Sequence, residues 1–144
     1  MAIIELTHDY AATPEDVWAL AIDFETLAEV CKPLIQFEGL PQGRCETGMK
    51  ADVMVSIYGK LPAQPYAMEV LECDDAAMVL RSREKGAGVK RWNHTLRVEA
   101  HGTGARLLDH IEIDAGFLTP IFVWWGRKLY QHRHKPRQRL LGEA

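Results

Sequence analysis

Apolar positions at helical spacing run longest near the end of the chain. From Phe117 to Leu141, the residues Leu118, Phe122, Trp125, Leu129, His132, Pro136 and Leu140 recur at steps of three and four, one face of an α-helix. Thr119 suits the N-cap and Pro120 the first turn, where a missing N–H is no loss. Pro136 either kinks this helix or ends it. Elsewhere the pattern changes. Ile4, Leu6 and His8 alternate with Glu5 and Thr7, the period of a strand. The run Ala12–Trp18 then predicts a short helix, with Thr13 as cap, Pro14 at the first position, and Glu15 and Asp16 facing the positive end of the helix dipole. Val17, Trp18, Ala21 and Ile22 supply its apolar side, and a second short helix from Asp23 carries Leu27, Val30, Cys31 and Leu34 at helical spacing, with Pro33 marking its end.

Between Leu34 and Gly116 the period is two. Leu34–Glu38 is followed by a loop through Pro41, Gly43 and Gly48, and Met49, Ala51, Val53, Val55 and Ile57 then alternate with Lys50, Asp52 and Ser56. Tyr66, Met68 and Val70 form the inner set of the next strand; Met78, Leu80 and Ser82 that of another; Trp92, His94, Leu96 and Val98 a third. Gly86–Gly88 and His101–Gly104 are hairpin signals, and Leu107–Ile113 is the last strand. The order is strand, two short helices, six strands, long helix. It predicts an α+β fold in which a curved antiparallel sheet of about seven strands closes around the C-terminal helix. A cavity between sheet and helix follows from the curvature.

At 144 residues the chain is most simply one domain, 1–144. Six of its 17 Lys and Arg fall between Arg127 and Arg139 with no acid among them, leaving eleven basic residues against 20 acidic in the remainder. Basic side chains late in a helix complement its negative end, so this run is read as a solvated helix end, and no nucleic-acid partner is expected. Lys90, Arg91 and Arg97 read as the outer surface of the sheet. Cys31, Cys45 and Cys73 form no C-x-x-C, which argues against a zinc site and fits a reducing cytoplasm. The N-terminal MAIIELTHDY lacks signal-peptide character, and Pro120–Trp125 is far too short for a membrane span.

The strand leading into Ala-Thr-Pro-Glu-Asp-Val-Trp (Ala12–Trp18), the Cys-Lys-Pro at Cys31–Pro33, the strand Arg106–Glu112 and the long final helix together resemble the START-like (SRPBCC) superfamily, the helix-grip fold that includes polyketide cyclase/dehydrase-like and Bet v 1-like proteins. Thr13 stands where alanine is usual in the short motif. The resemblance implies a fold and a cavity. Members bind lipids, sterols, plant hormones or polyketides, and a minority catalyse cyclisation or dehydration; the motif residues seat the first helix and carry no reaction.

If the Gly102-Thr103 turn sets the register, Leu96 faces Asp109, His94 faces Ile111 and Val98 faces Leu107. Trp92, His94, Leu96 and Asp109 then share the inner face, with His94 diagonal to Asp109 at ~7–8 Å between backbones. Three readings stay open for this pair: a polar group of the cavity, a catalytic dyad with His94 transferring a proton and Asp109 orienting it, or a structural ion pair. A slip of one residue would place both outside. His132 and His134 lie roughly 200° apart on one helix and cannot share a metal. No phosphate loop, nucleophile elbow, metal triad or cofactor motif is present.

The expected site is therefore a ligand cavity of Tyr66, Met68, Trp92, His94, Leu96, Asp109, Phe122, Trp125 and Leu129 for a small apolar or aromatic molecule. The alternatives are a cyclase/dehydrase-like enzyme using His94 and Asp109, and an accessory subunit that docks an acidic protein partner or a second copy of itself.

Overall fold

The computed structural model describes residues 2–143. Strand β1 (Ala2–Tyr10) is followed by helices α1 (Pro14–Ala21) and α2 (Phe24–Val30), then β2 (Ile35–Glu38), β3 (Lys50–Ile57), β4 (Gln64–Asp74), β5 (Val79–Gly86), β6 (Val89–His101) and β7 (Gly104–Asp114). One 3-10 turn, Gly116–Leu118, leads into α3 (Thr119–His132) and α4 (His134–Leu140). All seven strands form one antiparallel sheet in the order β1-β7-β6-β5-β4-β3-β2. Every step from β2 to β7 is a neighbour pairing. Only the connection from β1 to β2 crosses from one sheet edge to the other, and α1 and α2 make that crossing. The result is a curled half-barrel around the C-terminal helices, a helix-grip α+β fold.

The local chemistry accounts for the elements. Thr13 caps α1 by accepting from the Asp16 amide at 3.2 Å, and Asp23 caps α2 by accepting from the Thr26 amide at 2.9 Å. Gly102 and Thr103 make a two-residue hairpin that pairs His101 with Gly104; Val98 thus stands opposite Leu107, Leu96 opposite Asp109 and His94 opposite Ile111, the register the turn predicts. Lys90, Arg91 and Arg97 are exposed.

The last helix departs from expectation. It is two helices that meet at Arg133, and Pro136 neither ends them nor sits at the break. Proline lacks the N–H that would bond the His132 carbonyl, and its ring crowds that carbonyl, so the disturbance appears a turn earlier. The ladder continues on either side, Arg133 N to Leu129 O at 3.3 Å and Arg137 N to Arg133 O at 3.1 Å. Thr119 is the first residue of α3, not its N-cap: its Oγ1 accepts from the Ala115 amide at 3.0 Å and donates to the Gly116 carbonyl at 2.6 Å. The second short helix also stops at Val30, with Cys31–Leu34 in turns.

The inward stripe is rotated as well. Leu118 and Leu140 are exposed, while Gly126, Tyr130, Arg133 and Arg137 are buried. His132, expected inward, is half-buried and donates from Nε2 to the Lys32 carbonyl at 2.6 Å. His134, expected outward, stacks on His8 of β1 with ring centroids 4.8 Å apart.

Gly126 explains the seating of α3. A Cβ at this position would stand 3.0 Å from Ile4 Cδ1 and 3.0 Å from Trp92 Cη2, so the helix backbone touches both β1 and β6 here. Trp92, Tyr130, Ile4, Ile111 and Ile113 pack around that contact. Replacing Gly126 with Val should destabilise the fold by about 1–3 kcal/mol through overpacking, despite valine's better helix propensity than glycine's. Urea unfolding checks this; an unchanged midpoint would show that α3 is not seated at this residue.

Candidate functional site

A partly enclosed cavity of about 160 Å³ lies between the concave face of the sheet and the helices. Alternation along β6 turns Trp92, His94 and Leu96 inward; β4 contributes Tyr66 and Met68, and β5 contributes Leu80, Ser82 and Glu84. From α3 come Phe122, Trp125, Leu129 and Tyr130. Phe24, Leu27 and Val30 of α2 close another side. Tyr66, Met68, Trp92, His94, Leu96, Phe122, Trp125 and Leu129 thus all border one space.

Asp109 does not. It is 2% exposed and sits behind His94, away from the cavity wall, which corrects its expected place among the ligand contacts. His94 Nε2 lies 2.6 Å from Asp109 Oδ1. Burial pushes the Asp109 carboxyl up, but the His94 hydrogen bond and the positive charges of His94, Arg137 and Arg133 outweigh it and hold the group below its ordinary value. Asp109 is therefore a carboxylate that can only accept, so Nε2 of His94 is the nitrogen that donates to it. The Tyr130 ring packs edge-on against His94 with centroids 5.0 Å apart, and Tyr130 Oη accepts from Trp92 Nε1 at 3.1 Å.

A second polar group sits on the β4–β5 wall. Glu84 accepts from Tyr66 Oη at 2.8 Å through one oxygen and from Ser82 Oγ at 2.8 Å through the other. Burial, reinforced by the Glu84 charge, pushes the Tyr66 phenol well above its usual value, so it stays a neutral donor.

Sequence reasoning missed the two most consequential cavity residues. Arg133 and Arg137, placed there with the solvated basic run, are 7% and 3% exposed and line the cavity. Four of the six basic residues of that run, Arg127, Lys128, Lys135 and Arg139, do face solvent. The missed signal is Gly126. It lies on one helical stripe with Phe122, Arg133 and Arg137, at steps of four, seven and four, and a glycine inside a helix marks the side that approaches a neighbour closely. Trp124 is 63% exposed at the flank of α3, under Lys128. Among the described residues, no group of three or more His, Cys, Asp or Glu is placed to hold a metal ion. Nor, among the described residues, is any helix long and apolar enough to cross a membrane.

Comparison with known proteins agrees with this architecture. A family model described as a domain of unknown function, DUF8410, matches residues 8–141. The chain belongs to that family. No curated protein matches it. Among solved structures, a START superfamily protein from Mycobacterium smegmatis aligns with a TM-score of 0.71 at 14% identity, covering 97% of each chain. The Zhui aromatase/cyclase from a Streptomyces species aligns with a TM-score of 0.71 at 14% identity, covering 98% of this chain and 93% of that one. Norcoclaurine synthase from Thalictrum flavum aligns with a TM-score of 0.68 at 15% identity, covering 99% and 87%. At such identities the likeness establishes the START/SRPBCC-like fold alone.

The seam where α4 meets β1 makes stability depend on pH. Burial pushes His8 and His134 below the usual 6.5, and positive neighbours add to this: His134 and Arg137 for His8, Arg137 for His134. Asp109 and Asp9 oppose the shift at His8, as Glu143 and Asp9 do at His134, without reversing it. An imidazole whose folded pKa is lowered binds its proton more readily when unfolded. Its contribution is complete above pH 6.5 and is lost as the pH falls from there through the lowered folded value. Thermal midpoints should therefore drop on acidification from pH 6.5, and His134→Gln should flatten that drop. An equally steep drop in the variant would exclude this origin.

Proposed function

We propose that this protein binds a small apolar or aromatic molecule in the cavity between the curved sheet and α3, without transforming it. The observation that carries this reading is the cavity itself. It measures about 160 Å³ and is walled mainly by apolar and aromatic side chains of β4, β5, β6, α2 and α3. An apolar space of roughly this size takes up one benzene-sized molecule. Affinity would come from removing ligand surface from water at ~25 cal/mol per Å², less the cost of ordering the ligand. Tyr66 and His94 would supply the few polar contacts that select among ligands. The free thiols Cys31, Cys45 and Cys73 suit a cytoplasmic setting for this role.

A titration with indole, followed by amide chemical shifts, tests the proposal. Saturable shifts should centre on Trp92, Leu96, Phe122 and Leu129, and Leu96→Phe, which fills the space, should weaken binding at least about tenfold while the fold is retained. Native mass spectrometry of freshly purified protein would identify any apolar molecule already held. An absence of shifts at those four residues would sink the reading.

One observation favours a second reading, a cyclase- or dehydrase-like enzyme. The His94–Asp109 pair has the short, buried geometry of an oriented proton-transfer group, 2.6 Å between Nε2 and Oδ1. The neighbour named as an aromatase/cyclase shares the fold. The two readings separate on His94→Ala, which should abolish turnover in an enzyme and only retune affinity, by about tenfold or less, in a binder. A third role, an accessory subunit docking an acidic protein or a second copy, would rest on the four exposed basic residues of the C-terminal helices, two fewer than the sequence run promised.

A further inference from the structure

The interior carries more unsatisfied donors than a cavity for purely apolar ligands requires. Arg133 and Arg137 are both more than nine-tenths buried and both border the cavity. They stand one turn apart across the break between α3 and α4, where Arg137 N donates to Arg133 O at 3.1 Å, so both side chains leave the helices on the cavity side. Among the described residues neither forms an ion pair, and Nε of Arg133 and Nε and Nη1 of Arg137 are buried without a hydrogen-bond partner. Arg133 instead lies over the Tyr130 ring, 4.2 Å from its centroid. A guanidinium cannot shed its charge, and buried donors without acceptors are costly to keep.

The interior carboxylates do not satisfy them. Glu84 is occupied by Tyr66 and Ser82, and Asp109 by His94, with only its Oδ2 left without a donor. Asp109 Oδ2 and Tyr10 Oη, the buried acceptors nearest Arg137, also have no hydrogen-bond partner, so the free guanidinium N–H groups are left for an acceptor that arrives from outside.

We propose that the cavity's ligand is an aromatic or short apolar monocarboxylate, its carboxylate held by Arg133 and Arg137 and its apolar body lying against Phe122, Trp125 and Leu129. This rests on the cavity being a binding site. The guanidinium fork matches a planar carboxylate in a way that a neutral head does not. Glu84 and Asp109 already balance the two guanidiniums in charge, so the call for a ligand comes from the unpaired N–H donors. A monoanion that fills them adds less unfavourable charge than the double charge of a phosphate monoester. The volume of about 160 Å³ limits the body to about one ring or a short chain.

The test compares benzoate, benzamide and phenyl phosphate, titrated into the full chain and followed by amide chemical shifts. Benzoate should bind about ten- to a hundredfold more tightly than benzamide, the range for hydrogen bonds to charged groups. R133Q and R137Q should each bring benzoate down toward the benzamide level while leaving benzamide within about twofold. The comparison in the unsubstituted protein decides the matter even if a variant fails to fold, and R137K, which keeps the charge but loses the fork, should retain part of the preference. Benzoate binding no tighter than benzamide, or a preference that survives both glutamine variants, overturns the carboxylate clamp and leaves the apolar cavity standing. Phenyl phosphate binding more tightly than benzoate overturns the choice of a monoanion. If indole and all three probes fail to bind, the cavity reading falls and the clamp falls with it.

Discussion

The contact between α3 and the sheet at Gly126 governs the rest of the molecule. With no side chain at that residue, the helix backbone rests on Ile4 of β1 and Trp92 of β6, two strands separated in the sheet by β7. A twisted antiparallel sheet cannot stay flat beneath a straight helix. It touches α3 along β1, β7 and β6 and curls away toward β5, β4 and β3. The cavity is what remains between a rod and a curled surface that meet along one line. Its walls are consequently core residues, and side chains such as Leu96, Leu129 and Trp92 help hold the fold and border the cavity at once.

That geometry also organises the polar interior. Beyond Gly126 toward the C-terminus, the same helix stripe presents Tyr130, Arg133 and Arg137, and the facing strands present His94 with Asp109 behind it. The hydrogen bond from His94, with the charges of His94, Arg137 and Arg133 behind it, holds the Asp109 carboxyl below its ordinary value against the effect of burial. The ionised carboxylate sets the tautomer of His94, and His94 packs against Tyr130. Charge, tautomer and ring packing are coupled across three elements, which is why a single substitution at Asp109 or Arg137 would disturb residues that it does not touch.

The comparisons bear on the same coupling. START/SRPBCC-like neighbours share the fold at about 14–15% identity, and the fold alone does not fix the chemistry of the interior. What distinguishes members of such a fold is which polar side chains interrupt the apolar walls. In this chain the interruptions are His94, the Tyr66–Glu84 pair and the two buried arginines, and the arginines make the interior unlike a simple lipid pocket.

How much of this was legible beforehand follows from the range of the interactions involved. Strand alternation, the cap at Thr13, the Gly102-Thr103 hairpin and, through its register, the meeting of His94 with Asp109 are all set within a few residues of sequence or by one tight turn, and these were readable from the chain alone. The rotation of the final helix was not. Its inward face depends on the close approach at Gly126, which acts through Ile4 and Trp92, neighbours remote in sequence. Arginine next to a helix end is solvated by default, so its charge pointed outward until the packing of α3 and α4 turned it in. Asp109 faces the concave side, but whether it reaches the cavity or stands behind His94 depends on how side chains stack in depth, and strand register carries no information about depth. Local periodicity decided which residues face inward on the sheet; only the tertiary contact decided which of them meet the cavity.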